Sequence, residues 1–344
     1  GEAFAKPLLS TLNVPDDVFP YALLYLRIYL LGMPVILLYN FEAAIFRSIG
    51  DTRTPLVALT LSGVLNVALN LFFVLVLKMT VNGVATATVL ANCFSSLVLL
   101  RRLLTTDLPV RITLRDLGID VHIFKKIMSI GLPSGIQSAV FSISNIDNQS
   151  ATNSLATVDI AASSAAFNIE IMAYYVLNSF SQACTTFMGQ NYGAGRLDRC
   201  RKALILCLVE DLIASACAIG LVLLCGKSLL AIFNNDPEVI AIGYTRLLII
   251  FSAYTFSMLY EVMSGYLRGF EISLVPAVLT TLGVCGVRIS WIQLVFPLRR
   301  TFSTIMIAYP ASLSTTALLI GIALFVYQPS RRYAAKQAKQ YAGC

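Results

Sequence analysis

Asn66 and Asn70 stand four residues apart in the run LSGVLNVALN, a spacing that puts both amides on one face of a helix. Two carbonyls so aligned can coordinate a cation or a hydroxylated ligand, and they can equally form a hydrogen-bond ladder between helices. Acidic residues inside apolar runs are the second chemical feature. Glu42 lies five residues before Arg47 and Glu261 seven before Arg268, while Glu170 and Asp147 sit in apolar runs of their own. A carboxylate withdrawn from water can take up and release a proton, or it can close a salt bridge on a nearby arginine. Arg288, three residues before Trp291, is a cation in similar surroundings. It needs a carboxylate or carbonyl partner, and a structural ion pair is the simplest reading, because its charge repels a cationic ligand.

No constellation in the chain suggests a catalytic or metal centre, so neither an enzyme nor a bound cofactor is expected. The one histidine, His122, lies in a charged loop and reads as solvated. The eight cysteines form no C-x-x-C pair and read as soft packing residues. The segment GQNYGAGRLDRCRK, 189–202, has the glycines of a phosphate loop but neither a G-K-[ST] nor a preceding strand. It reads as a helix end followed by a basic turn, which leaves any transport to be driven by an ion gradient.

The elements that position these residues follow from composition. Apolar residues make up 57% of the 344, charged residues only 12%, and the mean hydropathy is +0.78. Soluble domains carry roughly a quarter charged residues, so the natural solvent of this chain is lipid. A bilayer core needs about 20 apolar helical residues per crossing. Nine segments qualify, near 21–46, 54–77, 82–104, 127–150, 158–187, 203–226, 238–267, 273–296 and 302–327. Their apolar runs lack period-2 alternation, which excludes a closed barrel and leaves helices. Lys and Arg divide unevenly among the connecting segments. With the stretch before the first span outside, 17 fall on the inner side and 5 on the outer, while Arg27, Arg246 and Arg288 lie within spans. The bias puts this chain's N-terminus outside and its C-terminus in the cytoplasm. The scatter of the charges also argues against nucleic-acid binding.

One stretch occurs twice. LYNFEAAIFRSIGDTRTP, 38–55, aligns without a gap on LYEVMSGYLRGFEISLVP, 259–276, so that Leu38, Tyr39, Arg47 and Pro55 meet Leu259, Tyr260, Arg268 and Pro276. Tyr25-x-Arg27 and Tyr244-x-Arg246 extend the likeness toward the outer end. The first three spans therefore resemble the last three, and parallel repeats of this kind are a transporter architecture. The expected organisation is 1–104 as the second half of an N-terminal lobe, 105–126 as a cytoplasmic linker, 127–328 as a six-helix C-terminal lobe and 329–344 as a basic cytoplasmic tail.

YNFEAAIFRSIGDTRTPL, LNVALNLFF, NGVATATV, GLPSGIQSAVFSISN and TFMGQNYGAG, in that order, resemble the multidrug and toxic compound extrusion (MATE) family, more closely its bacterial branch, over essentially the whole chain. The resemblance implies an all-α, polytopic, two-lobe bundle whose lobes rock about a central cavity, exporting organic cations and other drugs in exchange for Na+ or H+. It implies nine of twelve family helices here, with the first three lacking and the N-terminal lobe incomplete; transport by this chain alone is then not expected. Family members centre a cation site on an aspartate of their first helix, and the matching positions that remain are Asn66, Asn70, Thr88 and Asn40. Many relatives have aspartate where Asn70 stands, which counts against a strong sodium site; some have glutamate where Phe141 stands, which counts against the C-lobe cation site of that subfamily.

Glu42 and Glu261 complete the coupling-ion candidates. Gln137, Asn145, Glu170, Tyr39 and Tyr260 are candidates to line a substrate cavity, and Arg47, Arg268 and Arg288 are structural charges. The expected setting is a bacterial inner (plasma) membrane and the expected state a monomer, with a small cationic substrate and the bilayer as partners. A lipid-linked oligosaccharide flippase of the wider superfamily and a non-transporting membrane scaffold are the alternatives.

Overall fold

The computed structural model describes residues 2–11, 18–113, 115 and 117–330. Most of the expected basic tail, 331–344, lies outside the described residues. All regular structure among the described residues is helical, and the chain forms two compact units, one up to Ile119 and one from Asp120 onward.

The first unit holds α1 (Glu2–Thr11), α2 (Phe19–Ser48), α3 (Arg53–Leu71), which runs on into a π-helical turn at Phe72–Val76, and α4 (Val81–Thr105). At 10 residues α1 is too short to cross a bilayer; it packs on α2. The α2–α4 crossing is tight at Gly32, where an added Cβ would lie 2.3 Å from a Val89 methyl. Ala43, Phe46, Ala58, Leu99 and Leu103 form the core of this unit. After α2 the chain reverses through Gly50, whose φ of +86° suits a residue without Cβ.

The second unit holds α5 (Val121–Asn153), α6 (Thr157–Gly193), α7 (Leu197–Ala231), α8 (Pro237–Phe251), α9 (Tyr254–Gly269), α10 (Leu274–Thr280), a π-helical turn at Thr281–Gly286, α11 (Val287–Leu294), a 3-10 turn and α12 (Phe302–Tyr327). α5 begins six residues before the segment read from hydropathy. The added residues include Lys125 and Lys126, and Asp120 caps the helix by accepting from the backbone N–H of His122 at 2.8 Å and of Ile123 at 3.0 Å. α9 lies against α6 through Gly265-x-x-x-Gly269: a Cβ at Gly265 would meet the Ser181 carbonyl at 2.5 Å, and one at Gly269 would meet the Met188 Cβ at 2.3 Å. Small residues at this spacing let helix backbones approach closely in a membrane.

Among the described residues eight helical segments are long and apolar enough to span a bilayer, and α8 with α9 makes a ninth span bent by 46°. The nine coincide with the nine segments read from the sequence. The duplicated stretch also extends to the element ends. α2 ends at Ser48 and α9 at Gly269, α3 starts at Arg53 and α10 at Leu274, α4 starts at Val81 and α12 at Phe302: each pair is 221 residues apart. The Tyr-x-Arg pairs are 219 apart, so Arg27 and Arg246 are not equivalent within the repeat.

Candidate functional site

The second unit encloses a cavity of about 470 Å³ between α5, α6, α8, α9, α11 and α12. Gln137 and Asn145 reach it from α5, Glu170 and Tyr174 from α6, Tyr254, Tyr260, Glu261 and Arg268 from α9, Arg288 from α11 and Tyr309 from α12. Four of the five cavity candidates named from the sequence therefore meet here. The fifth, Tyr39, belongs to the first unit, where its hydroxyl donates to the Pro55 carbonyl at 3.4 Å and its ring packs on that unit's core.

The charged groups of the cavity differ in how they are answered. Glu170 receives a bidentate pair from Arg246, at 2.6 Å from Nε and 2.8 Å from a terminal nitrogen, a geometry that suits the guanidinium fork. The same arginine donates to Ser163. Glu261 accepts from the Tyr174 hydroxyl at 3.4 Å and stands 3.7 Å from Arg268, a loose contact. Arg288 is 7% exposed. Its Nε donates to the Ser312 hydroxyl at 3.0 Å, and its guanidinium lies 4.2 Å from the centre of the Tyr309 ring. Among the described residues no carboxylate pairs with it, so the ion pair expected for Arg288 is replaced by a hydroxyl and an aromatic face. Gln137 is tied to Thr280 at 2.7 Å. Beyond Tyr309 a second cavity of about 410 Å³ is lined by Arg246, Ser163, Asn145 and Asn148.

In the first unit Asn70 donates to the Asn66 side-chain carbonyl at 3.0 Å, and Asn66 reaches the Thr88 hydroxyl at 3.5 Å. The amide ladder and the α3–α4 cross-link expected from spacing both exist. The Asn70 side-chain oxygen is buried without a donor. Asn40 is exposed and bonds back to Ile36 within α2, so it does not join this cluster. Glu42 is 3% exposed. One of its oxygens accepts from Ser96 on α4 at 2.9 Å and the other has no partner; Arg47 is not bonded to it. Among the described residues Asp147 is held by Gln293 alone, at 3.4 Å.

Asp211, on α7, escaped the reading of the sequence. It is 0% exposed, and the one hydroxyl close to its carboxylate, that of Ser215 one turn further along α7, falls short of good hydrogen-bond geometry. Glu261 is the charged group acting on it through space. The signal was available: Glu210-Asp211 interrupts the apolar run ALILCLVEDLIASAC as Glu42 interrupts its own. Among the described residues no three His, Cys, Asp or Glu converge to hold a metal ion.

A bundle of membrane-spanning helices that holds a cavity of opposed charges and aromatic rings is the architecture of a polytopic membrane transporter. The MatE family model matches residues 1–72 and 133–292, and the chain belongs to that family of multidrug and toxic compound extrusion transporters. It is 25% identical over 340 residues to the probable multidrug resistance protein YoeA of Bacillus subtilis strain 168, covering 95% of this chain and 73% of YoeA. With the multidrug resistance protein PmpM of Pseudomonas aeruginosa it shares 28% identity over 294 residues, 82% of this chain and 61% of PmpM. These relatives place it in the bacterial branch. The solved structure of a multidrug resistance MATE family transporter of the MOP superfamily, in an outward-facing conformation, aligns with a TM-score of 0.85 at 20% identity, over 98% of this chain and 75% of that one. The matches do not favour the flippase reading, and they make the protein a transporter rather than an enzyme.

Proposed function

We propose that the chain works in a secondary antiporter that exports small organic molecules in exchange for protons by alternating access. One observation carries the choice of proton: each unit buries a carboxyl group that pairs with no cation among the described residues, Glu42 with a single hydroxyl donor and Asp211 with only the Ser215 hydroxyl close by. An ionised carboxylate in such a place costs several kcal/mol in lost hydration, whereas a neutral acid has no charge to offset. A conformation that opens these positions to water reverses the balance, and that difference between conformations is what couples a proton to a conformational switch. Proton and cargo then bind at different places, and the switch links them. The cargo site is the cavity of the second unit. The cationic cargo suggested by the family has only Glu261 to meet there, since Glu170 is already taken by Arg246.

Sodium coupling is the second reading, carried by the unmatched Asn70 oxygen beside Asn66 and Thr88. The Lys and Arg bias supports a C-terminus in the cytoplasm of a bacterial plasma membrane, and the protein is proposed to act as a monomer. Transport of cationic, neutral and anionic dyes under imposed gradients, by vesicles reconstituted with a form that carries two complete lobes, tests the proposal. A pH gradient without sodium is expected to drive transport, and E42Q or D211N to reduce it at least tenfold while dye binding persists. Transport that needs sodium and ignores the pH gradient would overturn it.

A further inference from the structure

We propose that the cavity of the second unit is a site for an organic anion, with a carboxylate, sulfonate or phosphate group held by Arg288 and an aromatic or apolar body lying along Tyr309, Phe141 and Leu313. This rests on the reading of that cavity as the cargo site, but not on the identity of the coupling ion.

The argument begins with the arginines. Three guanidinium groups, those of Arg246, Arg268 and Arg288, stand at or behind the cavity wall, against two carboxylates, Glu170 and Glu261. Arg246 is fully occupied by Glu170 and Ser163. Arg268 is half-answered by Glu261 at 3.7 Å. Arg288 carries the uncompensated charge. It is buried among α5, α11 and α12, it spends one N–H on Ser312, and its terminal nitrogens have no acceptor among the described residues. A guanidinium withdrawn from water without a counter-charge is costly. The planar fork of the arginine matches two oxygens of a carboxylate or phosphate side by side. The Tyr309 ring, 4.2 Å away, fixes the plane of the fork. Arg288 lines the cavity together with the apolar faces of Phe141 and Leu313, so an anion bonded to it has room for an apolar body. A cation in the same space is repelled by Arg288 and Arg268 and has Glu261 alone to attract it, since Glu170 is taken by Arg246.

Equilibrium dialysis of the purified chain in lipid nanodiscs tests this with three probes that share one ring system: naphthoate, naphthylmethanol and naphthylmethylammonium. Naphthoate is expected to bind at least tenfold more tightly than naphthylmethylammonium. In R288M naphthoate is expected to weaken at least tenfold with naphthylmethanol unchanged, while R288K, which keeps the charge but loses the planar fork, is expected to fall between R288M and the parent. Preference for the ammonium probe by the parent protein would overturn the proposal, and so would equal loss of acid and alcohol in R288M, because the residue would then be structural. Anion binding that depends on Arg288 without any transport by the form with two complete lobes would leave this site standing and remove the antiporter reading instead.

Discussion

The spans α2, α3 and α4 and the spans α8–α9, α10–α11 and α12 share one plan, with the end of the first span and the starts of the next two 221 residues apart, yet they are used differently. α2 is continuous through Pro34, whereas its counterpart breaks by 46° between α8 and α9 with no proline at the break. At the positions of Asn66, Asn70 and Thr88 the second copy has Val287, Trp291 and Tyr309. An amide ladder in one copy is thus an aromatic wall in the other, and Trp291 bonds its indole N–H to the Thr304 carbonyl at 2.9 Å. The α9 face that carries Glu261, Gly265 and Gly269 is buried on α6, while the matching α2 face, with Asn40, Ala44 and Ser48, is exposed. A duplicated trio of helices supplies a scaffold; which helix is packed against it, and which side chains replace the amides, decides where the chemistry goes.

The largest effect should come from the ion pair that only one copy possesses. Arg246 corresponds to Tyr25, an exposed residue stacked on Tyr29. E170L strands the Arg246 charge and is expected to cost about 3–5 kcal/mol, most of which E170L/R246M recovers; thermal unfolding in detergent measures both. A fully stable E170L would mean that the pair is not what distinguishes the second copy. Next, G265L should lower stability by about 3 kcal/mol because no flexible side chain can yield at the Ser181 carbonyl. A44L, at the equivalent exposed position, should stay within about 0.5 kcal/mol.

A smaller test lies in the turn after each inner helix end. Gly50 and Glu271 occupy the same place and both have positive φ, +86° and +65°. E271G should stabilise by about 1 kcal/mol and G50E should destabilise by about as much, the first reduced a little by loss of the exposed Lys126–Glu271 pair. One residue further on, Asp51 accepts from the Thr54 N–H at 3.0 Å and from the Thr54 hydroxyl at 2.6 Å. The second copy has Ile272 there, packed on the core around Tyr266 and Phe270. The bonds from Thr54 hold the Asp51 carboxyl below its usual range. Its contribution is therefore present above the unfolded value of about 3.9 and fades as the pH falls through the folded one. D51A should cost about 0.5 kcal/mol at neutral pH, and the gap to the parent protein should close in acid; a gap that widens would assign the cost to something other than the carboxylate.

Much of this was legible before the fold was known. Length, apolar fraction and run lengths determine nine helical spans, because a chain in lipid must satisfy its backbone within each span. The repeat and its register follow from the residues themselves, and four cavity residues were named from the sequence alone. The 3.6-residue period foretold that Asn66 and Asn70 share a face. It is silent on partners between distant helices: Glu170 and Arg246 are 76 residues apart, and Glu42 and Ser96 are 54 apart. Only the packing decided that Arg246 has a carboxylate and, among the described residues, Arg288 has none, and that Asp211 is fully buried with Glu261 acting on it. Periodicity fixes the direction of a side chain on its own helix, whereas the state of a charge depends on what the neighbouring helix brings to it.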